Sequence, residues 1–567
     1  MAFLLYVATA IALLGLAHRF VRPVSRAAML VLLVLPLFLT GHALLTNGVL
    51  GPIDHPYQSE PLLALKTQHG IDIGRPHNIV VTDIYTQMMP WRRAVQLSLA
   101  RGEWPLWNPW ILCGHLLAGA AQPAVYSPFT LIACLLPAAQ SFAYTAAIAF
   151  FLAGLSAFVF ARELDCVEGA ALLGAAGWMF STSLVLYILW PLAFAWTLFP
   201  FVLAAARRVV HQPGVASGAI LMCALTLMLL SGHPETVLHA VILGSLYAAF
   251  EMIRARIRPA KPIATALAAG IVTLLLCAIY LLPVAEAVSQ SAEYAYKKAV
   301  WAKQDRGSPR AWVAAMITMD VFPHLHVRYW SKPELRVLKP ETSSVGSLVL
   351  AFAIYALWRR RSAEAFFFAF LAIACITVEV EWGPAANALR HLPLLDITHN
   401  ERLAFAAAAM LSMLAALGAD ELLRRRGDAL PLAIVFVALS AGAWWIARNV
   451  KLGPDPADWG DHTLFAELFF LGAACVVIIT RTRLLIPALL TLLVMQRVLS
   501  QTNVHKTFPA KAAYPRIAML ESLANIREPF RIVGLERALI PGTNVFYGLE
   551  DARGYDAVTF LPLGQTY

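Results

Sequence analysis

A single carboxylate, Asp83, stands just after an apolar run in the segment 79–128, and Gln87, Pro90 and Trp91 follow at spacings that share one face of a helix. Thr82 is placed to cap that helix, and Arg92 and Arg93 come about two turns later. One acid with cations nearby suits a general base acting on a substrate that carries a phosphate. The same residues also read as an ordinary N-terminal helix charge. In that case Trp104, Trp107 and Trp110 simply anchor a loop at a membrane interface. The stretch RGEWPLWNP, which contains Trp107 and Asn108, ends the helix because Pro105 and Pro109 push the residues before them toward extended geometry.

Three further clusters hold groups able to bind or react. GHPE at 232–235 sets His233 and Glu235 in a tight turn between two apolar runs. There they face whatever cavity the helices enclose, or else Gly232 and Pro234 make the turn while Glu235 caps the next helix. DITHNERLAF at 396–405 places His399, Asn400 and Arg402 at the start of an apolar run. A cation at a helix N-terminus opposes the helix dipole, so Arg402 calls for a phosphate or an acid partner, or it snorkels to lipid headgroups. His324 and His326, with Asp320, have the ligand types of a metal site, but their i, i+2 spacing suits a strand and such pairs are commonly incidental.

Composition dictates the elements that position these residues. Hydrophobic residues are 59% of the 567 and charged residues 14%. A soluble domain carries roughly 25% charge, so lipid solvates most of this chain. Apolar runs long enough to cross a bilayer recur from 3–18 to 484–498, including 168–188 and 192–206. The reading is an all-α polytopic membrane protein of about 12–14 transmembrane helices. The formal charge of +10 does not indicate nucleic acid, because the cations sit in short runs such as RFVRPVSR, RARIRPAK and RRRGD between apolar segments. Loops such as WPL and GHP alternate with them and hold no cation, so the positive-inside rule makes the basic set cytoplasmic.

The segments 47–138, 285–342 and 499–567 then face outward, and the count closes with both termini outside. Every candidate residue falls on that outer side. Ion-coupled transporters bury acids at mid-membrane, whereas Glu379, Glu381, Asp420 and Glu467 lie near the ends of apolar runs. The seven cysteines show no metal-binding spacing and read as small hydrophobes. Residues 1–498 form the membrane domain. In the tail 499–567, short runs broken by Pro-Gly, Gly-Leu and Arg-Gly-Tyr read as a small mixed α/β or β outer module, with the native domain extending past Tyr567.

Several of these motifs occur in one order. Asp83-x-x-x-Gln87-x-x-Pro90, Gly102-x-x-Pro105-Leu106-Trp107-Asn108-Pro109 and Gln122-x-x-x-Tyr126-x-Pro128 come first. GHPE, the Arg402 segment with Gly418-x-Asp420, and Gly554-Tyr555-Asp556 follow. The chain thereby resembles YfhO-type bacterial membrane proteins, which are related to the GT-C glycosyltransferases. The resemblance implies a GT-C-like fold in a bacterial inner membrane with its site facing outside. It also implies a polyprenyl-phosphate sugar donor and a cell-envelope glycan, glycolipid or protein as acceptor.

Asp83 takes the place of the superfamily's catalytic acid. Arg402, Arg92 and Arg93 are then the phosphate ligands, and Gln87, Trp107, Asn108, His233, Glu235, His399 and Asn400 line the donor or acceptor pocket. The chain departs from the pattern in having one acid where the superfamily has an adjacent pair, and an additional first helix. No metal ligand is assigned, and a divalent cation stays open as a cofactor. A sugar on a lipid phosphate has a leaving group that is already a stable anion, so one base suffices and the outcome is inversion. A glycosidase would need two carboxyls about 5–9 Å apart. The alternatives are a transporter or flippase of lipid-linked saccharides, or a non-enzymatic envelope assembly protein.

Overall fold

The computed structural model describes residues 1–71, 76–78, 80–300, 343–380, 387–424, 429–449, 457–480, 484–502, 504–536, 538–556 and 558–560. Asp320, His324, His326 and Glu381 lie outside the described residues, as does the side chain of Glu467.

Uninterrupted Leu, Ala, Val and Phe, without the alternation of a half-buried strand, make long helices. Among the described residues five are long and apolar enough to cross a membrane: Ala2–Val21, Ser141–Glu163, Pro191–His211, Pro234–Arg254 and Asn400–Arg424. Two bent pairs join them, Arg26–Val34 with Leu37–Thr46 at 66° and Ala260–Leu276 with Ala278–Ser289 at 72°. The first bend falls at Pro36, whose ring cannot continue the preceding helix. Shorter apolar helices, among them Val215–Leu230, Ser347–Arg359 and Leu485–Gln501, complete the bundle. The run 168–188 is two helices, Glu168–Met179 and Thr182–Tyr187, because Ser181 between them is extended.

Ser141–Glu163 and Asn400–Arg424 form the axis, with 94% and 100% of their apolar windows buried. The helix Ala2–Val21 is 22% buried and turns Leu4, Ile11 and Leu16 outward, as a lipid-facing helix must. Small residues let the axis pack closely, the usual way helices associate where lipid removes the hydrophobic drive. At Gly418 a Cβ would stand only 2.1 Å from the carbonyl oxygen of Phe352, so no larger residue fits without moving that neighbour.

One end of the bundle gathers acids, each clasped by arginines. Glu163 meets Arg22 at 3.1 Å and Arg208 at 2.7 Å. Glu251 meets Arg207 at 2.6 Å and Arg254 at 2.8 Å. Asp420 meets Arg360 at 2.9 Å and Arg424 at 2.7 Å. A buried carboxylate is tolerated only when paired in this way. These arginines come from the basic runs that the charge rule assigns to the cytoplasm.

The long loops meet at the opposite end. Val49–Leu50 pairs antiparallel with Thr507–Phe508, and Trp107–Asn108 with His115–Leu116. Tyr514 stacks on Tyr85 at 4.4 Å between ring centroids and on Phe546 at 3.5 Å. Gly542, at φ +90°, closes on the helix that starts after Asp83, where a Cβ would stand 2.5 Å from the Thr86 carbonyl oxygen. The described tail contains a short helix, Ala518–Ala524, some 3-10 turns and one two-residue strand. It is interleaved with the first long loop, and few strands form in it.

Candidate active site

Asp83 opens the helix that carries Gln87. The turn begins with the amides of Tyr85 and Thr86 donating to the carbonyl of Thr82 at 3.0 and 3.1 Å. It widens to a π-turn over Ile84–Met88 and continues as the α-helix Met89–Ala100, with Pro90, which lacks an amide donor, at the junction of the two. Thr82 therefore contributes its carbonyl to this start, and the Asp83 carboxylate makes no capping hydrogen bond. That leaves the carboxylate to line a cavity of about 540 Å³. Burial holds the Asp83 carboxyl above the usual carboxylate range.

Gln87, His233 and Arg402 line the same cavity. His233 precedes the helix Pro234–Arg254, with its Nδ1 2.8 Å from Thr236 Oγ1. Its Nε2 lies 3.2 Å from Arg402 Nη1. Nδ1 also accepts from the Thr236 amide at 3.3 Å, so this nitrogen caps the helix while Nε2 faces the guanidinium. Burial first, and the neighbouring cation with it, pull this histidine down to about 3, so it is neutral at neutral pH. Arg402 also meets Glu235 at 3.4 Å and still reaches the cavity. The acid partner its helix position demanded is therefore present, and Arg402 is among the residues that line the cavity.

Seven of the expected residues stand elsewhere. Trp107 is half exposed in its short strand and packs on Gly114, away from the cavity. Asn108 is buried and spends its Oδ1 on the amide of Trp110, a turn-forming role. Arg92 points at the axis helix, donating to Ser141 Oγ at 3.1 Å and lying over the Phe142 ring. Arg93 does not line the cavity. Glu235 stands behind Arg402. His399 pairs with Glu401 at 2.9 Å, and Asn400 bonds His239 at 3.1 Å and the Leu395 carbonyl at 2.7 Å, so both shape the turn that delivers Arg402.

The structure adds residues from distant parts of the chain. Glu293, Tyr555 and Asp556 line the cavity, as do Gln122, Tyr187 and Trp190. The segment 551–560 is tied down on three sides. Leu112 donates its amide to the Arg553 carbonyl at 3.1 Å, and Ala292 to that of Thr559 at 2.8 Å. Gln87 Nε2 donates to the Tyr555 carbonyl at 3.3 Å. Within the segment, Asp556 Oδ1 accepts from the Val558 amide at 3.0 Å, and His115 Nε2 lies 3.9 Å from that oxygen. Burial pushes the Asp556 carboxyl up to about 7. Gly554-Tyr555-Asp556 was the signal for this wall, but nothing local joins it to Asp83. Among the described residues no group of three or more His, Cys, Asp and Glu is arranged to hold a metal. The three cavity acids do not make such a group.

Fold and cavity together define a polytopic helical membrane protein with a polar cavity at one end of its bundle. The model of the family described as bacterial membrane protein YfhO matches residues 70–515, and the chain belongs to that family. Tyr555 and Asp556 lie beyond the matched segment. Comparison with curated proteins returns no match. Among solved structures, the chain is similar to ArnT from Cupriavidus metallidurans, crystallised bound to undecaprenyl phosphate. The identity is 13%, the TM-score 0.40, and the alignment covers 82% of this chain and 81% of that one.

Proposed function

We propose that this protein is a membrane glycosyltransferase that moves a sugar from a polyprenyl-phosphate donor to a cell-envelope acceptor, at the membrane face opposite the arginine-clasped acids. The observation that carries this reading is that the Asp83 carboxylate, at a helix start, shares one cavity with Arg402 and a neutral His233. Ionised Asp83 takes the proton of an acceptor hydroxyl. The acceptor oxygen bonds to the anomeric carbon from the face opposite the phosphate, so the configuration inverts. The bond from that carbon to the phosphate oxygen breaks, and polyprenyl phosphate leaves with the electron pair. Arg402 opposes the charge that develops on it. Asp83 then returns its proton to solvent.

The test is transfer from a panel of polyprenyl-phosphate sugars by purified wild type and Asp83→Asn, with thermal melts of both. The reading expects turnover by the wild type and a loss of about a hundredfold or more in an equally stable variant. Turnover by Asp83→Asn at the wild-type rate would overturn the assignment of the base.

A further inference from the structure

Two sets of residues of different chemistry line the cavity. One is the turn that presents Arg402 against His233. The other is built from three separated pieces of chain: the helix start at Asp83, the helix Ala292–Val300 with Glu293, and the segment holding Tyr555. Tyr555 belongs to this second set. Its hydroxyl is within electrostatic range of Asp83, Glu293 and Asp556, and their negative charge, after burial, holds its proton on. The residue is 53% exposed, in a segment whose backbone is pinned by Gln87, Leu112 and Ala292. Trp190 and Tyr187 line the same cavity.

An exposed aromatic face beside hydrogen-bonding acids has a definite chemical complement. A pyranose offers an apolar C–H face to the ring and hydroxyls around its edge to the carboxylates. Pockets that combine an aromatic platform with a few fixed polar groups orient small ligands in this manner. A phosphate is repelled by these acids where they are ionised and is attracted by the arginine. We propose that Tyr555 is the platform for the donor's glycosyl group: the sugar ring lies on the tyrosine, its hydroxyls meet the acids, and its phosphate points to Arg402. This rests on the glycosyl-transfer reading above. It places a sugar-specificity determinant in a segment beyond the family-matched residues.

The experiment uses the full-length protein in detergent with two probes: polyprenyl phosphate carrying a neutral hexose, and the same lipid phosphate without sugar. Binding is followed by tryptophan fluorescence, to which Trp190 in the cavity contributes. Tyr555→Ala is expected to weaken the glycosylated lipid by roughly three- to tenfold and to leave the sugar-free lipid unchanged. Tyr555→Phe keeps the ring and is expected to bind the glycosylated lipid within about twofold of wild type. Equal weakening of both probes by Tyr555→Ala, or no weakening of either, overturns the proposal. Because the readout is binding, a protein that discriminates the sugar through Tyr555 and catalyses no transfer refutes the catalytic reading alone.

Discussion

Two carboxyls of the cavity are raised by burial, and the sign of that shift determines how each behaves with pH. Asp556 rises to about 7, from an unfolded value of about 3.9. Between those values the folded chain holds a proton that the unfolded chain has lost. The contribution of this group to stability is therefore complete below the unfolded value and is lost as pH climbs through about 7. Asp556→Asn keeps an acceptor for the Val558 amide and removes the titration. Its melting temperature is expected to fall less than the wild type's between about pH 5 and pH 8, and parallel curves for the two proteins would contradict the assignment. Asp83 shifts in the same direction. Since the base must be ionised, transfer is expected to decline on acidification at a higher pH than an ordinary carboxylate would produce.

The residue types that the sequence singled out divide by whether local chemistry already restrained them. Asp83, Gln87, His233 and Arg402 sit at helix starts, where position alone argues for an unmet partner, and all four reach the cavity. Trp107 and Asn108 lie in a Pro-rich turn, where the backbone claims the asparagine and the surface claims the ring. Arg92 is close to Asp83 in sequence, but the rotation of an α-helix turns it toward Ser141.

At the scale of elements, hydropathy was enough to find the bundle, because crossing lipid requires long apolar helices and little else. The tail was not legible in that way. Its short runs and turn residues read as strands, but its partners lie in the first long loop, and pairing across such a distance leaves no periodicity behind. Gly542 marks how close that docking is. An alanine there takes a left-handed backbone that costs about 1–2 kcal/mol, and its Cβ meets the Thr86 carbonyl oxygen at 2.5 Å. Gly542→Ala is expected to loosen the tail and spare the bundle. Limited proteolysis should then cut the tail several-fold faster while the helical circular dichroism stays unchanged. Cleavage at the wild-type rate would show that the contact yields without cost.

For the molecule as a whole, charge asymmetry is the feature that can be checked in cells. The arginine-clasped acids lie at one end and the cavity at the other, so the charge rule directs the cavity outward. Cys113 is exposed and belongs to the long loop at the cavity end. A membrane-impermeant maleimide added to spheroplasts is expected to label Cys113, assigned by mass spectrometry. Labelling only after the membrane is permeabilised would reverse the orientation.

The cavity is assembled from both ends of the amino-acid sequence: Gln87 and the Tyr555 carbonyl it holds are 468 residues apart. During biosynthesis the base leaves the ribosome long before the segment holding Tyr555. A nascent chain halted in the intervening helices carries Asp83 in a cavity that still lacks the Gly554–Asp556 part of its lining. The cavity is therefore complete only once the segment holding Tyr555 has been made and has docked against the first long loop.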